Sequence, residues 1–168
     1  MTTARRPSFK AAWGAFQQVR GDVKEVGKFL GGKIEINTEL GRNGGYTNAC
    51  PIRMSYVLNY TGFPIHAGHG FKISTGADRK NYLIRINDMV QYLKINFGAP
   101  DKVVDRPPLP DDFWDMQGII LVEGDGWDNA RGHVTLWDGS HCADTCHMYG
   151  DPKNWPFSPQ KASIWVLK

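Results

Sequence analysis

The sequence predicts an α+β fold: N-terminal helices packed on a mainly antiparallel sheet. Three observations carry this expectation. Apolar residues recur at helical spacing through the first hundred positions. After Gly118 they gather instead into short apolar runs of strand length. Nineteen glycines and ten prolines are scattered rather than clustered, which calls for many turns and no linker. With 168 residues, no internal repeat and no low-complexity tract, the chain reads as one domain over 1–168.

The elements follow in order. Ser8 fits a helix N-cap, with Phe9, Ala12, Trp13 and Phe16 at i, i+3, i+4 and i+7 behind it. That helix is expected to run to about Arg20. Val23, Val26 and Leu30 suggest a second short helix stopped by Gly31-Gly32. Arg42-Asn43-Gly44-Gly45 reads as a loop. Pro51 fits the first position of a third helix, where a missing N–H costs nothing, and Met54, Val57 and Leu58 give it a buried face. Residues 64–80 read as loop. Ile86, Met89, Val90, Leu93 and Phe97 predict a helix ended by Gly98. Residues 99–115 look irregular. Strands are expected at 118–122, 132–137 and 163–166.

Composition excludes several function classes. An apolar content of 41% is too high for a disordered chain. No run approaches the roughly 18 apolar residues of a membrane span. Arg5 and Arg6 have no apolar run behind them, so no signal peptide is expected. The net charge of +3 is spread without a Lys/Arg cluster, which argues against nucleic acid as a partner.

The chemistry centres on two places. Cys50 stands at a helix N-terminus, whose positive end favours a thiolate. His133 opens a strand that Asp138-Gly139 follows, and Asp-Gly is a strong two-residue hairpin signal. A turn at 138–139 pairs Thr135 with Cys142 and sets Asp144 directly opposite His133. A carboxylate there fixes a His tautomer and stabilises its cation. Asp138 lies roughly 16 Å along the strand from His133 and is disfavoured. Three cysteines allow one pair and one free thiol. Cys142 and Cys146 can bond only if the chain turns tightly between them. The competing readings are a buried structural Cys50 and a zinc site from His141, Cys142, Cys146 and His147, whose spacing suits zinc poorly. His66 and His69 read as solvated or groove-lining. Trp127, Trp137, Trp155 and Trp165 read as core, with a lectin-like platform as the alternative.

Two blocks carry a family resemblance. Tyr46-Thr47-Asn48-Ala49-Cys50-Pro51-Ile52-Arg53-Met54-Ser55-Tyr56-Val57-Leu58-Asn59 and Gly132-His133-Val134-Thr135-Leu136-Trp137-Asp138-Gly139 resemble the type VI secretion amidase effectors, family 4, which are papain-like cell-wall cysteine peptidases. The tail from Cys142 through Asp144 to Cys146 is also similar to that family. The resemblance implies a papain-like fold, Cys50 as nucleophile, His133 as general base, Asp144 as third member and a Cys142–Cys146 disulfide. It implies no cofactor and no metal. It implies cleavage between D-glutamate, through its γ-carboxyl, and meso-diaminopimelate in peptidoglycan stems. Pro51 lacks an N–H, so an oxyanion hole would rest on the Cys50 amide and another donor, with Asn48 a candidate.

The same resemblance implies a route: synthesis in the cytoplasm, loading on the type VI secretion tube, and delivery into the periplasm of a target bacterium. A periplasmic immunity protein in kin cells would block the cleft, which the loops 60–81 and 99–115 would frame. Arg53, Lys72, Arg79 and Arg131 are candidates to bind stem carboxylates. Two non-enzymatic alternatives remain from the residues themselves, a zinc-binding module and a cell-wall-binding module.

Overall fold

In the computed structural model, residues 5–128 and 130–168 are described. Helix α1 (Phe9–Phe16) starts at Ser8, whose Oγ accepts the Ala11 N–H at 3.1 Å. It gives way to a 3-10 turn at Gln17–Val19, so the expected α-helix to Arg20 is shorter. Helix α2 (Val23–Leu30) is capped by Asp22. Gly31-Gly32 ends it as expected, but the chain restarts at once as α3 (Gly32–Leu40). Both glycines have positive φ, 68° and 60°, which permits so sharp a reversal. A Cβ on Gly27 would lie 1.8 Å from Thr38 Oγ1, so glycine lets α2 and α3 touch.

Helix α4 (Cys50–Asn59) is buried nearly all round, and only Arg53 is partly open. Such a helix needs internal partners for its polar side chains. Ser55 Oγ donates to Pro51 O at 2.7 Å and accepts the Leu83 N–H at 2.9 Å. Asn59 Nδ2 donates to Asn81 O, and its Oδ1 accepts the Ile65 N–H. These bonds lock α4 against β2 (Asn81–Leu83), which pairs antiparallel with β1 (Ile73–Thr75) inside and just past the region read as loop. Helix α5 (Ile86–Phe97) ends at Gly98, φ 80°, as the sequence predicts.

The second half is a four-stranded antiparallel sheet in the order β3-β6-β4-β5. Its strands are β3 (Lys102–Val104), β4 (Gly118–Asp125), β5 (Gly132–Trp137) and β6 (Ser158–Val166). The segment 99–115, expected to be irregular, contributes β3 and a 3-10 turn at Pro110–Phe113. One sheet face, with Ile119, Leu121, Val134, Leu136 and Trp165, packs on α1, α4 and α5. The other, with Ile120, Val122, Trp137 and Ile164, is closed by Phe113, Met148 and Phe157. Trp137 and Trp165 are core residues as expected. Trp155 is not: it is 89% exposed. The two ends meet, because Phe9 N–H donates to Lys168 O at 2.8 Å. No helix among the described residues is long and apolar enough to cross a membrane.

Candidate active site

Cys50 is the first residue of α4 and is only 2% exposed. Its backbone N–H donates to Asn48 Oδ1 at 3.1 Å, and Pro51 follows with no N–H to give. His133 sits near the start of β5, the edge strand that α4 packs against. Its Nε2 meets Asp144 Oδ1 at 3.0 Å, and the Cys50 thiol lies close enough to help raise the ring's proton affinity. With Nε2 held by Asp144, Nδ1 is the nitrogen left for the thiol.

The hairpin that brings Asp144 in differs from the expected one. Asp138 Oδ1 accepts the N–H groups of Ser140 and His141, which widens the turn. Trp137 therefore bridges Cys142, and Ala143 N–H donates to Leu136 O at 2.8 Å. The register has slipped by two residues. Because side chains alternate with a period of two, the slip preserves the face. Asp144 lies diagonal to His133 rather than directly opposite, still within reach. Cys142 and Cys146 form a disulfide with their Cα atoms 5.4 Å apart, the tight turn that the spacing requires.

Electrostatics tie the group together. Burial works to lower the His133 imidazole. The charge and hydrogen bond of Asp144, joined by Cys50, outweigh it and push the ring up to about 10. Burial works to raise the Asp144 carboxyl, but the His133 cation and hydrogen bond, with help from Thr135 and Arg53, hold it below the usual range. Thr135 Oγ1 is fully buried beside this carboxylate without a well-formed hydrogen bond. Arg53 turns away from the cleft. Its Nε donates to Val19 O at 2.8 Å, its Nη2 to Gly21 O, and its Nη1 reaches Asp144 Oδ2 at 3.5 Å. A guanidinium so engaged anchors Asp144 to the α1–α2 connection, where a substrate contact had been expected.

A cleft of about 630 Å³ opens beside His133, lined by Arg42, Asn48, Trp127, His147 and Pro156 among others. A neighbouring hollow of about 370 Å³ shares Asn48, Trp127 and Ala130 and adds Arg85 and Arg131. Trp127, expected in the core, is a cleft wall stacked on Phe157 at 4.0 Å. The loops 60–81 and 99–115 supply none of the residues lining these two hollows. Of the basic candidates, Arg131 borders the site. Lys72 lies over the Tyr46 ring, and Arg79 occupies a left-handed turn position. His66 and His69 are exposed. The four residues considered for zinc are dispersed in role: two thiols are bonded to each other, His141 faces solvent, and His147 Nδ1 meets Asn154 Oδ1 at 3.1 Å. Among the described residues, no group of three or more His, Cys, Asp or Glu is placed to hold a metal ion.

A thiol, an imidazole and a carboxylate brought together in this order can carry out acyl transfer at a carbonyl. Comparison with known proteins places the chain among amidase effectors. The sequence model of the family described as type VI secretion system (T6SS), amidase effector protein 4 (Tae4) matches residues 46–165. The chain belongs to the Tae4 family.

Solved Tae4 structures are similar over nearly the whole chain. The effector from Salmonella typhimurium, in complex with the immunity protein Tai4 from Enterobacter cloacae, is 50% identical. The match covers 97% of this chain and all of that one, with a TM-score of 0.91. The Tae4–Tai4 effector–immunity complex from Enterobacter cloacae is 46% identical over 98% of this chain and all of that one, TM-score 0.92. Tae4 from Enterobacter cloacae on its own is 44% identical over 99% of this chain and all of that one, TM-score 0.91. No curated protein matches. As a Tae4 member this chain is a type VI secretion amidase effector with an α+β fold. His147, whose ring lies 5.0 Å from that of His133, is the site residue the sequence reading missed as such. The only sequence signal for it was its place directly after Cys146.

Proposed function

We propose that residues 1–168 form one catalytic unit, a peptidoglycan amidase toxin that cuts the γ-D-glutamyl–meso-diaminopimelate bond of cell-wall stems by thiol catalysis. The observation that carries the reading is the meeting of Cys50, His133 and Asp144 from three separate parts of the chain. His133 takes the thiol proton through Nδ1, and Asp144 holds the ring and its charge. The Cys50 thiolate attacks the γ-glutamyl carbonyl, forming a C–S bond. The oxyanion is received by the Asn48 side-chain NH₂ and by the Cys50 N–H as Asn48 Oδ1 releases it. His133 passes its proton to the diaminopimelate nitrogen as the C–N bond breaks. Water then hydrolyses the thioester, giving its proton to His133.

The solved relatives bound to Tai4 support a cognate immunity protein for this chain, acting in the periplasm to which the secretion tube delivers the effector. The test is digestion of purified Gram-negative peptidoglycan by wild type and by Cys50→Ala, with products identified by mass spectrometry. New fragments ending at D-glutamate are expected from wild type alone. Equal cleavage by a folded C50A protein would refute the mechanism.

A further inference from the structure

His147 stands in the cleft wall, and four observations set its state. Its backbone has φ 60°, a left-handed conformation that a β-carbon disfavours, so the position would suit glycine better on local grounds. The Asp151 carboxylate holds it there by accepting the His147 N–H at 3.2 Å. Its ring is fixed edge-on between His133, at 5.0 Å, and Trp127, at 4.7 Å. Strain retained at a cleft residue points to a use for the side chain.

The hydrogen-bond chain behind the ring fixes which nitrogen carries the proton. Met148 C=O can only accept, so buried Asn154 donates to it through Nδ2, at 2.7 Å. Asn154 Oδ1 is then the acceptor that faces His147 Nδ1, at 3.1 Å, and Nδ1 must bear the hydrogen. In the neutral ring Nε2 is left with a lone pair, and no hydrogen bond among the described residues engages it. Burial and the nearby His133 charge hold this imidazole below its ordinary value, against the opposing pull of Asn154, Asp151 and Asp144. His147 thus stays neutral while His133 is protonated.

We propose that His147 is a substrate contact, a hydrogen-bond acceptor that takes an N–H of the peptide stem beside the scissile bond. A stem of amides is rich in such donors, and the two imidazoles then divide the work: His133 moves protons, while His147 reads a donor. The disulfide belongs to this arrangement, since Cys146 directly precedes His147 and delivers it to the cleft. The inference rests on the amidase reading above.

The test compares His147→Phe, which keeps a ring and loses both nitrogens, with His147→Gln, which retains an acceptor. Two rates are read: kcat/KM on a soluble γ-D-glutamyl–diaminopimelate stem peptide, and alkylation of Cys50 by iodoacetamide. H147F is expected to lose about tenfold in kcat/KM, with H147Q recovering most of it and alkylation within about twofold of wild type in both. Thermal melting checks folding, and H147L replaces H147F if the latter does not fold. Cleavage by H147F at the wild-type rate overturns the proposal. So does a matching loss in alkylation, which would make His147 a support for His133, and so does H147Q no better than H147F. No product from wild type rejects the amidase reading itself; product from wild type with H147F unchanged rejects only the contact.

Discussion

Replacing Asp144 with Asn changes one atom and tests the charge logic of the site. Asp144 accepts from His133 Nε2 on Oδ1 and from Arg53 on Oδ2. Arg53 can only donate, so an asparagine must turn its oxygen toward Arg53 and its NH₂ toward Nε2. His133 is then forced into the tautomer with its hydrogen on Nδ1, facing the thiol whose proton it should receive. The charge is lost as well. Unit charges 3.0 Å apart attract by about 5.5 kcal/mol at an effective dielectric of about 20, or about four pH units of proton affinity. Burial then dominates and the ring is neutral at pH 7. Cleavage by D144N should fall by about 10⁴-fold, the cost of a wrong tautomer in the analogous serine-hydrolase triad. The assay follows stem cleavage and Cys50 alkylation from pH 5 to pH 9. Wild-type alkylation should be the less dependent on pH, and the variant's should climb as pH rises. Stability gives a second readout. The raised His133 value contributes stability that is complete below 6.5 and lost as pH rises through about 10. The lowered Asp144 value contributes stability present above 3.8 and lost as pH falls through its folded value. Wild type should therefore exceed D144N most between those two ordinary values. Overlapping pH profiles for the two proteins would refute the reasoning.

Three further outcomes follow from single features. Asn48→Ala should lower kcat by about 10²-fold with little change in KM, as expected for an oxyanion donor, in steady-state cleavage of a stem peptide. Joint Cys142→Ser and Cys146→Ser should cost only about 2 kcal/mol, since so short a loop restrains little of the unfolded chain. Cleavage should fall further than that loss explains, because Asp144 and His147 both depend on this turn; thermal melts beside kinetics separate the two effects. Gly27→Ala should lower stability by about 1–3 kcal/mol, the cost of forcing a Cβ against Thr38 between α2 and α3, with the cleavage rate per folded molecule unchanged.

The sequence made the site's ingredients legible because each sits on a strong local signal. Pro51 marks the start of α4 and so places Cys50 at a helix end. The continuous apolar run at 118–122 and the alternation of His133, Val134, Thr135 and Leu136 mark strands, and the turn after Trp137 returns the chain past His133. The exact register was not legible, because Asp138 binds two following N–H groups and opens the turn; parity survived, so Asp144 still reached its partner. Helix α3 was hidden because Ile36 and Leu40 are exposed, 63% and 45%, leaving no apolar stripe to read. Strands β1, β2 and β3 have three residues each, too few for alternation to stand out. The first residues of β6 are polar, so only its apolar end was expected. Arg53 was misread for a different reason. Its partners, Val19 O, Gly21 O and Asp144, are 34, 32 and 91 residues away, and a guanidinium looks the same in sequence whether it faces solvent or closes a fold.

The position of β6 bears on how the protein is made. This strand is made after the other three of its sheet, yet it lies inside, with β3 on one side and β4 on the other. A nascent chain that has emerged only as far as Asn154 already contains Cys50, His133, Asp144 and His147. It still lacks the strand that joins β3 to the rest and supplies Ile164 and Trp165 to the two cores. No nascent chain that stops short of β6 has a finished sheet to hold these groups. The sheet is joined in one step, when β6 has been made.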